Sequence, residues 1–402
     1  MNRQIVLLTA AAAASLAAAT SHAAAKFEAQ TIDGKIAIGY GLAIADMDGD
    51  GKKDILLADA REFVWYRNPG WEKRVFASGL GVRDNVCLAA KDVNGDGEAE
   101  VAVGANWNPS ETSDHKQSGS VHCLIRPANR EGLWIPIPLP HEPTVHRMRW
   151  VHCGEGRWAL VVLPLHGRGN KNGGGTNGVK ISAYLPPNNL SVAADWKLVT
   201  IDDSLHVTHN FDQHREGDRD VLLIGGKEAV LQAVPADSGN VWKTERLTIR
   251  DGADSPAPLT PFPGTGEIRF LNCRRGVFDI AAVEPFHGNA LAVYSWVAAE
   301  KNWQRRILTN ALNQGHALGT ADFLGTGRDQ IVVGWREPNA ERKVGIKLFS
   351  DDGNGAWSSA WIDENRMACE DLKIADLDGD GKSDIIAAGR ATKNVVIYWN
   401  RR

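Results

Sequence analysis

Apolar residues along this chain fall in short runs and never form a long stripe of helical period. Ile55–Ala58, Val101–Val103, Ala159–Val162, Val221–Ile224, Ile280–Val283, Ile331–Val333 and Ile385–Ala388 are rich in β-branched residues and bounded by glycine and polar positions. Runs of that length and composition read as strands. Three of them follow an acidic, glycine-rich loop. Asp46, Asp48, Asp50 and Asp54 precede the first run, Asp92, Asn94, Asp96 and Glu100 the second, and Asp376, Asp378, Asp380 and Asp384 the last. A fourth loop, Asp322–Gln330, keeps the glycines but has lost carboxylates. Weaker copies at Asp212–Asp220, His152–Gly156 and Cys273–Gly276 bring the number of loop–strand units to seven.

A second feature counts seven independently. An aromatic residue opens a short strand ahead of each unit: Phe27, Trp71, Trp134, Trp196, Trp242, Trp303 and Trp357, at intervals of 44 to 63 residues. Large aromatics at such positions are expected to pack between units and not to face a ligand. Repeats of this length, each with several short strands, predict an all-β, seven-bladed β-propeller, with residues 24–402 as a single domain. The final strand, Asn394–Trp399, has no fourth strand after it, and Phe27–Asp33 has no blade before it. Pairing the two closes the ring and removes both exposed edges. The acidic loops resemble the FG-GAP/VCBS repeats of integrin α-subunits and secreted bacterial propellers.

Composition narrows the class without changing the fold. With a formal net charge of -4, no strongly basic surface calls for nucleic acid. Asn2 and Arg3, the apolar run Ile5–Ala19 and the small residues of Ser21-His22-Ala23 predict a signal peptide over residues 1–23 and a secreted or periplasmic product. The alternative is an uncleaved N-terminal anchor, which the shortness of the run disfavours. No membrane span is expected after cleavage. Cys87, Cys123, Cys153, Cys273 and Cys369 are odd in number and fit no disulfide framework, so they are expected as buried strand residues with at most one or two bridges.

Two chemistries follow from the residues. Carboxylates at alternate positions of a tight loop direct hard oxygens to one point, as at the start of an EF-hand loop. Two or three structural Ca2+ sites are expected: Asp46, Asp48, Asp50 and Asp54; Asp376, Asp378, Asp380 and Asp384; and, as the third, Asp92, Asn94, Asp96 and Glu100. The second chemistry comes from blade geometry. Residues just before an innermost strand, or just after a second strand, lie near the axis on the face opposite the acidic loops. His146, His206, His209 and His316 occupy the first kind of place, and His166 and His287 the second. The same rim is expected to receive Arg147, Arg149, Glu370, Asp371, Trp335 and Arg336. Convergent imidazoles suit a divalent metal such as Zn2+ or Mg2+, with His166 and His287 as candidate ligands. Two loops, Asn106–Ser120 and Gly167–Asn177, are expected to widen this face as binding loops.

The segments around His146-Arg147, Pro164-Leu165-His166-Gly167, His206–His209 and Gln314-Gly315-His316 resemble the propeller domain of fungal aldos-2-ulose dehydratase and its bacterial relatives. That resemblance implies a metal-assisted carbon–oxygen lyase acting on a keto-sugar or keto-glycoside by β-elimination. His146, His166, His209, His287 and His316 would then supply metal ligands and the base, and Arg147 or Arg149 would orient hydroxyls. The cupin domains of the fungal enzyme have no counterpart here. The alternatives are a non-catalytic, calcium-stabilised propeller that binds glycans or protein partners, and a calcium-dependent polysaccharide lyase, which would call for a cleft lined by Lys and Arg.

Overall fold

The computed structural model describes residues 26–171, 173–252, 260–274 and 277–402. The signal peptide expected over residues 1–23 lies outside them. Seven antiparallel sheets stand around one axis, each built from its innermost strand outwards in chain order. The innermost strands are Gly41–Ala45, Cys87–Lys91, Val145–Gly154, Thr208–Glu216, Ile268–Arg274, Gly315–Ala321 and Cys369–Ala375, and they define blades 1 to 7. Each contacts the innermost strand of the next blade, and blade 7 returns to blade 1.

The acidic loops are the hairpins between first and second strands: Asp46–Lys53, for example, joins Gly41–Ala45 to Asp54–Ala58. The runs identified as strands become second strands, buried on both faces because each blade is covered by its neighbours. This explains why they read as continuous apolar runs and do not alternate.

Ring closure follows the expected register. Phe27–Asp33 pairs antiparallel with Asn394–Asn400, Phe27 opposite Asn400 and Ala29 opposite Tyr398, so blade 7 takes its outermost strand from the other end of the chain. The strand-opening aromatics pack between blades. Trp134 of blade 2 lies 5.6 Å from Phe76 of blade 1, Phe27 lies 5.9 Å from Phe323 of blade 6, and Trp71 lies 6.3 Å from Trp399 across the closure. All five cysteines are buried, and Cys87, Cys123, Cys153 and Cys369 are free thiols. One addition was not foreshadowed: a short strand, Ile249–Asp251, pairs in parallel with the outer strand Asn302–Thr309 of blade 5.

Asp33, at the end of the closing strand, ties blade 7 to blade 1. It accepts hydrogen bonds from Tyr66 Oη at 2.7 Å, Lys73 Nζ at 2.9 Å and the Lys35 amide at 2.8 Å. Burial alone would raise its pKa, but the bonds from Lys73 and Tyr66 outweigh burial and hold it below the ordinary carboxylate value. A depressed folded pKa gives stability that is complete above the unfolded value and lost as pH falls through the folded one. Asp33→Asn should therefore lower the unfolding free energy by about 1.5–3 kcal/mol near neutral pH. Denaturant titrations of both proteins should show the gap closing below about pH 3.9. A gap of equal size in acid would contradict this role.

Candidate functional site

Four imidazoles converge at the axis on the face opposite the acidic loops. His146, His209 and His316 occupy one position, at the start of the innermost strands of blades 3, 4 and 6. At each, the ladder to the second strand skips: between Val145 and Arg147, between Thr208 and Phe211, and between Gly315 and Ala317. Blade 7 skips in the same way between Cys369 and Asp371, at Glu370. A bulge re-aims the extra side chain. Here the bulges turn three histidines and one glutamate to the axis, while the residues after them resume the ladder. His287 joins them from the loop after Val277–Glu284.

The imidazole orientations are fixed by backbone carbonyls. His146 Nδ1 donates to His209 O at 2.8 Å, His209 Nδ1 to Gly266 O at 3.2 Å, and His316 Nδ1 to Glu370 O at 2.6 Å. A carbonyl only accepts, so each Nδ1 carries the hydrogen and each neutral ring presents a bare Nε2 lone pair. His209 Nε2 stands 2.7 Å from His287 Nε2, and the ring centroids of His287 and His316 are 4.7 Å apart. His209, His287 and His316 bring ligand-type nitrogens within 4.8 Å of one another. Glu267 lies 3.3 Å from His209 Nδ1 and is itself held by Arg269 at 3.1 Å. A carboxylate behind a histidine is the arrangement that orients and strengthens a metal ligand. Three imidazoles gathered in this way suit a divalent metal with an open position, His209 and His316 meeting it with bare Nε2 and His287 after giving up the hydrogen it shares with His209.

The fourth ring, His146, is 4.6 Å from His209 between centroids and 5.1 Å from Trp107 of the loop Asn106–Ser120. Its Nε2 accepts from Arg147 at 3.2 Å. His146, His209 and His316 are at most 5% exposed. Burial holds all three below the ordinary imidazole pKa, and the neighbouring Arg147 (for His146), Arg147 again (for His209), and His287 with Arg336 (for His316) act in the same sense. For His209 the buried Glu267 offsets part of the effect. His287 is exposed on its loop, yet loss of water on its inner side and the facing His209 and Arg336 lower it as well. Glu370 is buried between Arg336 and Arg390, at 3.4 and 3.1 Å.

Other residues expected on this rim stand outside the imidazole group. His166 forms an isolated bridge with Val207 and is not in the imidazole group. His206 pairs with Glu228 at 3.2 Å. Trp335 is buried within blade 6, donating to Lys343 O. Arg149 lies two residues beyond Arg147 and faces the axial channel, with Nε bonded to Phe211 O at 2.9 Å. Asp371 bonds the Leu42 amide of blade 1 at 2.8 Å. The loops Asn106–Ser120 and Gly167–Asn177 join through Gly169 N to Thr112 O, at 2.9 Å, and Thr112 Oγ1 to Asn170 O, at 2.6 Å.

On the opposite face the acidic loops share one framework. The first aspartate accepts two glycine amides: Asp46 from Gly49 and Gly51, Asp92 from Gly95 and Gly97, Asp376 from Gly379 and Gly381. The ninth residue returns to the amide of the second: Asp54 to Met47, Glu100 to Val93, Asp384 to Leu377. In the depleted fourth loop Gln330 reaches one residue less far, accepting from the amide of the third residue, Leu324. Asp46, Asp48 and Asp50 gather oxygens within 4.8 Å of one another, as do Asp376, Asp378 and Asp384. In the third loop Asn94 turns inward and donates to Asp96 and Glu100. Asp380 pairs with Lys382 at 2.7 Å.

Fold and site together define a closed seven-bladed β-propeller carrying FG-GAP-type acidic loops on one face and a histidine cluster at the axis on the other. Residues 118–297 match the β-propeller domain of aldos-2-ulose dehydratase, and residues 46–103 match the FG-GAP-like repeat. The first segment contains His146, His166, His209 and His287. No curated protein matches the chain in sequence. Solved structures of the same fold include BBS1N in complex with ARL6DN, at TM-score 0.55 and 10% identity over 93% of this chain and 96% of that one. Another is Saccharomyces cerevisiae Sqt1, at TM-score 0.52 and 11% identity over 93% of this chain and 98% of that one. At such identities they show the fold alone.

With burial keeping these rings neutral, the ring-proton NMR signals of His146 and His316 in chelator-treated protein should stay still between about pH 8 and pH 5, where a free imidazole titrates near 6.5. A titration midpoint near 6.5 for either would contradict the described environment.

Proposed function

We propose that this protein is a secreted or periplasmic carbohydrate lyase that eliminates water, or a glycosyl group, from a keto-sugar or keto-glycoside. The observation that carries this reading is the group His209, His287 and His316, whose nitrogens face one point with His146 beside them. The match to an aldos-2-ulose dehydratase domain supports the substrate class, and the N-terminal sequence supports export.

When bound by His209, His287 and His316, a divalent metal would supply a Lewis acid for the carbonyl oxygen of the sugar. The chain's own part is proton transfer and orientation. His146 is kept neutral by burial and by Arg147; once Arg147 turns from its Nε2 to a substrate hydroxyl, that nitrogen takes the proton from the carbon next to the carbonyl and returns it to the departing oxygen on the adjoining carbon. A double bond and water, or a free sugar hydroxyl, result. Arg147, Arg336 and Arg390 provide donors around the opening that hold hydroxyls in register. Glu370 between the latter two fixes where their charge lies.

Elemental analysis of purified protein should give about one equivalent of a transition metal, lost in a His209/His316 double alanine variant. His146→Ala should retain that metal and lose about 10²–10⁴ in turnover of a keto-sugar substrate. Calcium as the sole metal, unchanged in the double variant, would leave a non-catalytic binding propeller as the better reading.

The acidic loops are proposed to bind structural calcium, most completely at Asp46–Asp54 and Asp376–Asp384. Binding to the native state alone raises stability, by about 2.7 kcal/mol at a hundredfold excess over Kd. Burial, with the charge of Asp48 adding to it, pushes Asp54 up to about 6. A raised folded pKa means the metal-free protein takes up a proton below that value, and calcium must displace it. The calcium-induced rise in Tm should therefore be larger near pH 7.5 than near pH 5, and smaller in Asp46→Asn. An equal rise at both pH values would contradict ligation by this carboxylate.

A further inference from the structure

Below the histidine cluster, towards the acidic loops, the axis is open. Two lobes of about 510 and 350 Å³ share Arg149, Asp212, Gln213, Lys373 and Ile374 in their walls, and together they touch all seven innermost strands. One residue per blade lines this channel: Arg149, Asp212, Gly319 and Lys373, each three residues beyond a bulge histidine or glutamate, and Arg269, Ala43 and Ala89 from the blades without that bulge. The small residues leave the space. The others place three cations and one carboxylate at a single level.

The carboxylates near this level are already engaged. Asp212 accepts from the Phe270 amide at 3.0 Å, and Asp371 from the amides of Leu42 and Leu372 and from Lys373. Glu267 is held by Asn210 and Arg269. Arg149 makes no ion pair among the described residues: its Nε meets the Phe211 carbonyl, and its terminal nitrogens have no protein acceptor there. Burial lowers both Arg149 and Lys373, and each is lowered further by the nearby Arg269. Lys373 is paired with Asp371 at 2.8 Å and Arg269 with Glu267 at 3.1 Å, so the guanidinium of Arg149 is the principal partner left for an anion, with the other two cations beside it. Guanidinium groups suit a planar carboxylate or a tetrahedral oxyanion, whose oxygens accept in pairs.

We infer that the axial channel on the acidic-loop side of the histidine cluster is a binding site for a small oxyanion, held by Arg149, Arg269 and Lys373. The inference does not depend on the proposed lyase activity. The same chemistry could come from an inorganic anion or from the carboxylate of a sugar acid, and the channel is wide enough for either.

Calorimetric titration of the calcium-loaded full chain with sulfate, with glucuronate and with uncharged glucose tests it. Saturable, near-stoichiometric binding of sulfate or glucuronate, with none of glucose, is expected. Sulfate alone assigns the site to an inorganic anion, and glucuronate competing sulfate away assigns it to a sugar acid. Arg149→Gln should weaken binding at least tenfold. Lys373→Gln should weaken it too and leaves the Arg149–Phe211 bond intact, so the test survives if the first variant does not fold. Asp212→Asn, which removes the carboxylate at that level, should tighten binding several-fold. No saturable oxyanion binding to the wild type, equal binding of glucose, or affinities unchanged by both cation variants would overturn the inference.

Discussion

Ring closure is the constraint on which the rest of the structure depends. Seven sheets can share one axis only if the first and last meet, and the meeting is made by main-chain pairing of Phe27–Asp33 with Asn394–Asn400. That pairing consumes the two edges that would otherwise template association. It also brings seven strand starts to one small circle. Residues far apart in the chain, such as His146 and His316, become neighbours because they hold equivalent places in a closed repeat. The side contacts that secure the closure, Trp71 against Trp399 and Asp33 with Tyr66 and Lys73, belong to outer strands. The centre is left free for polar groups.

The axis tolerates those groups because each is supplied with a partner. Bulges turn histidines and a glutamate inward, and the carbonyl of the next blade takes the Nδ1 hydrogen of each such histidine. The pattern repeats around the ring, so neighbouring blades fix one another's tautomers. Buried polar groups arranged in this way cost little, because their hydrogen bonds are made. Their Nε2 atoms are left for partners other than the backbone: Arg147 for His146 and His287 for His209.

Much of this was legible in the sequence because the repeat writes itself twice, as acidic loops and as strand-opening aromatics. Both are local signals, and both depend on spacing within one blade. The convergence of His146, His209, His287 and His316 was also readable, since the position before an innermost strand can be counted from the following loop. The depth of each residue along the axis was harder to read. Arg147 and Arg149 differ by two positions in one strand, yet the first touches His146 and the second lines the channel beyond. His166 follows a second strand as His287 does, but its loop pairs with Val207 instead of reaching the cluster. The carboxylate of Glu267 behind His209 went unnoticed, because it comes from the next blade and nothing near His209 in the chain marks it. Aligning the innermost strands on His146, His209, Gly266, His316 and Glu370 would have exposed it.

The acidic loops carry a consequence for how such a molecule changes over generations. Their shape is drawn by the first residue, which gathers glycine amides, and by the ninth, which reaches back to the second. Gln330, which reaches back to the third, shows that a ninth residue can brace the loop without a charge. The intervening acids are therefore separable from the turn that displays them. Acids can be lost or regained at one blade by changing residues that the turn itself does not require, and neighbouring blades need not adjust. On the proposed reading of these loops, reliance on dissolved calcium would be a trait set blade by blade.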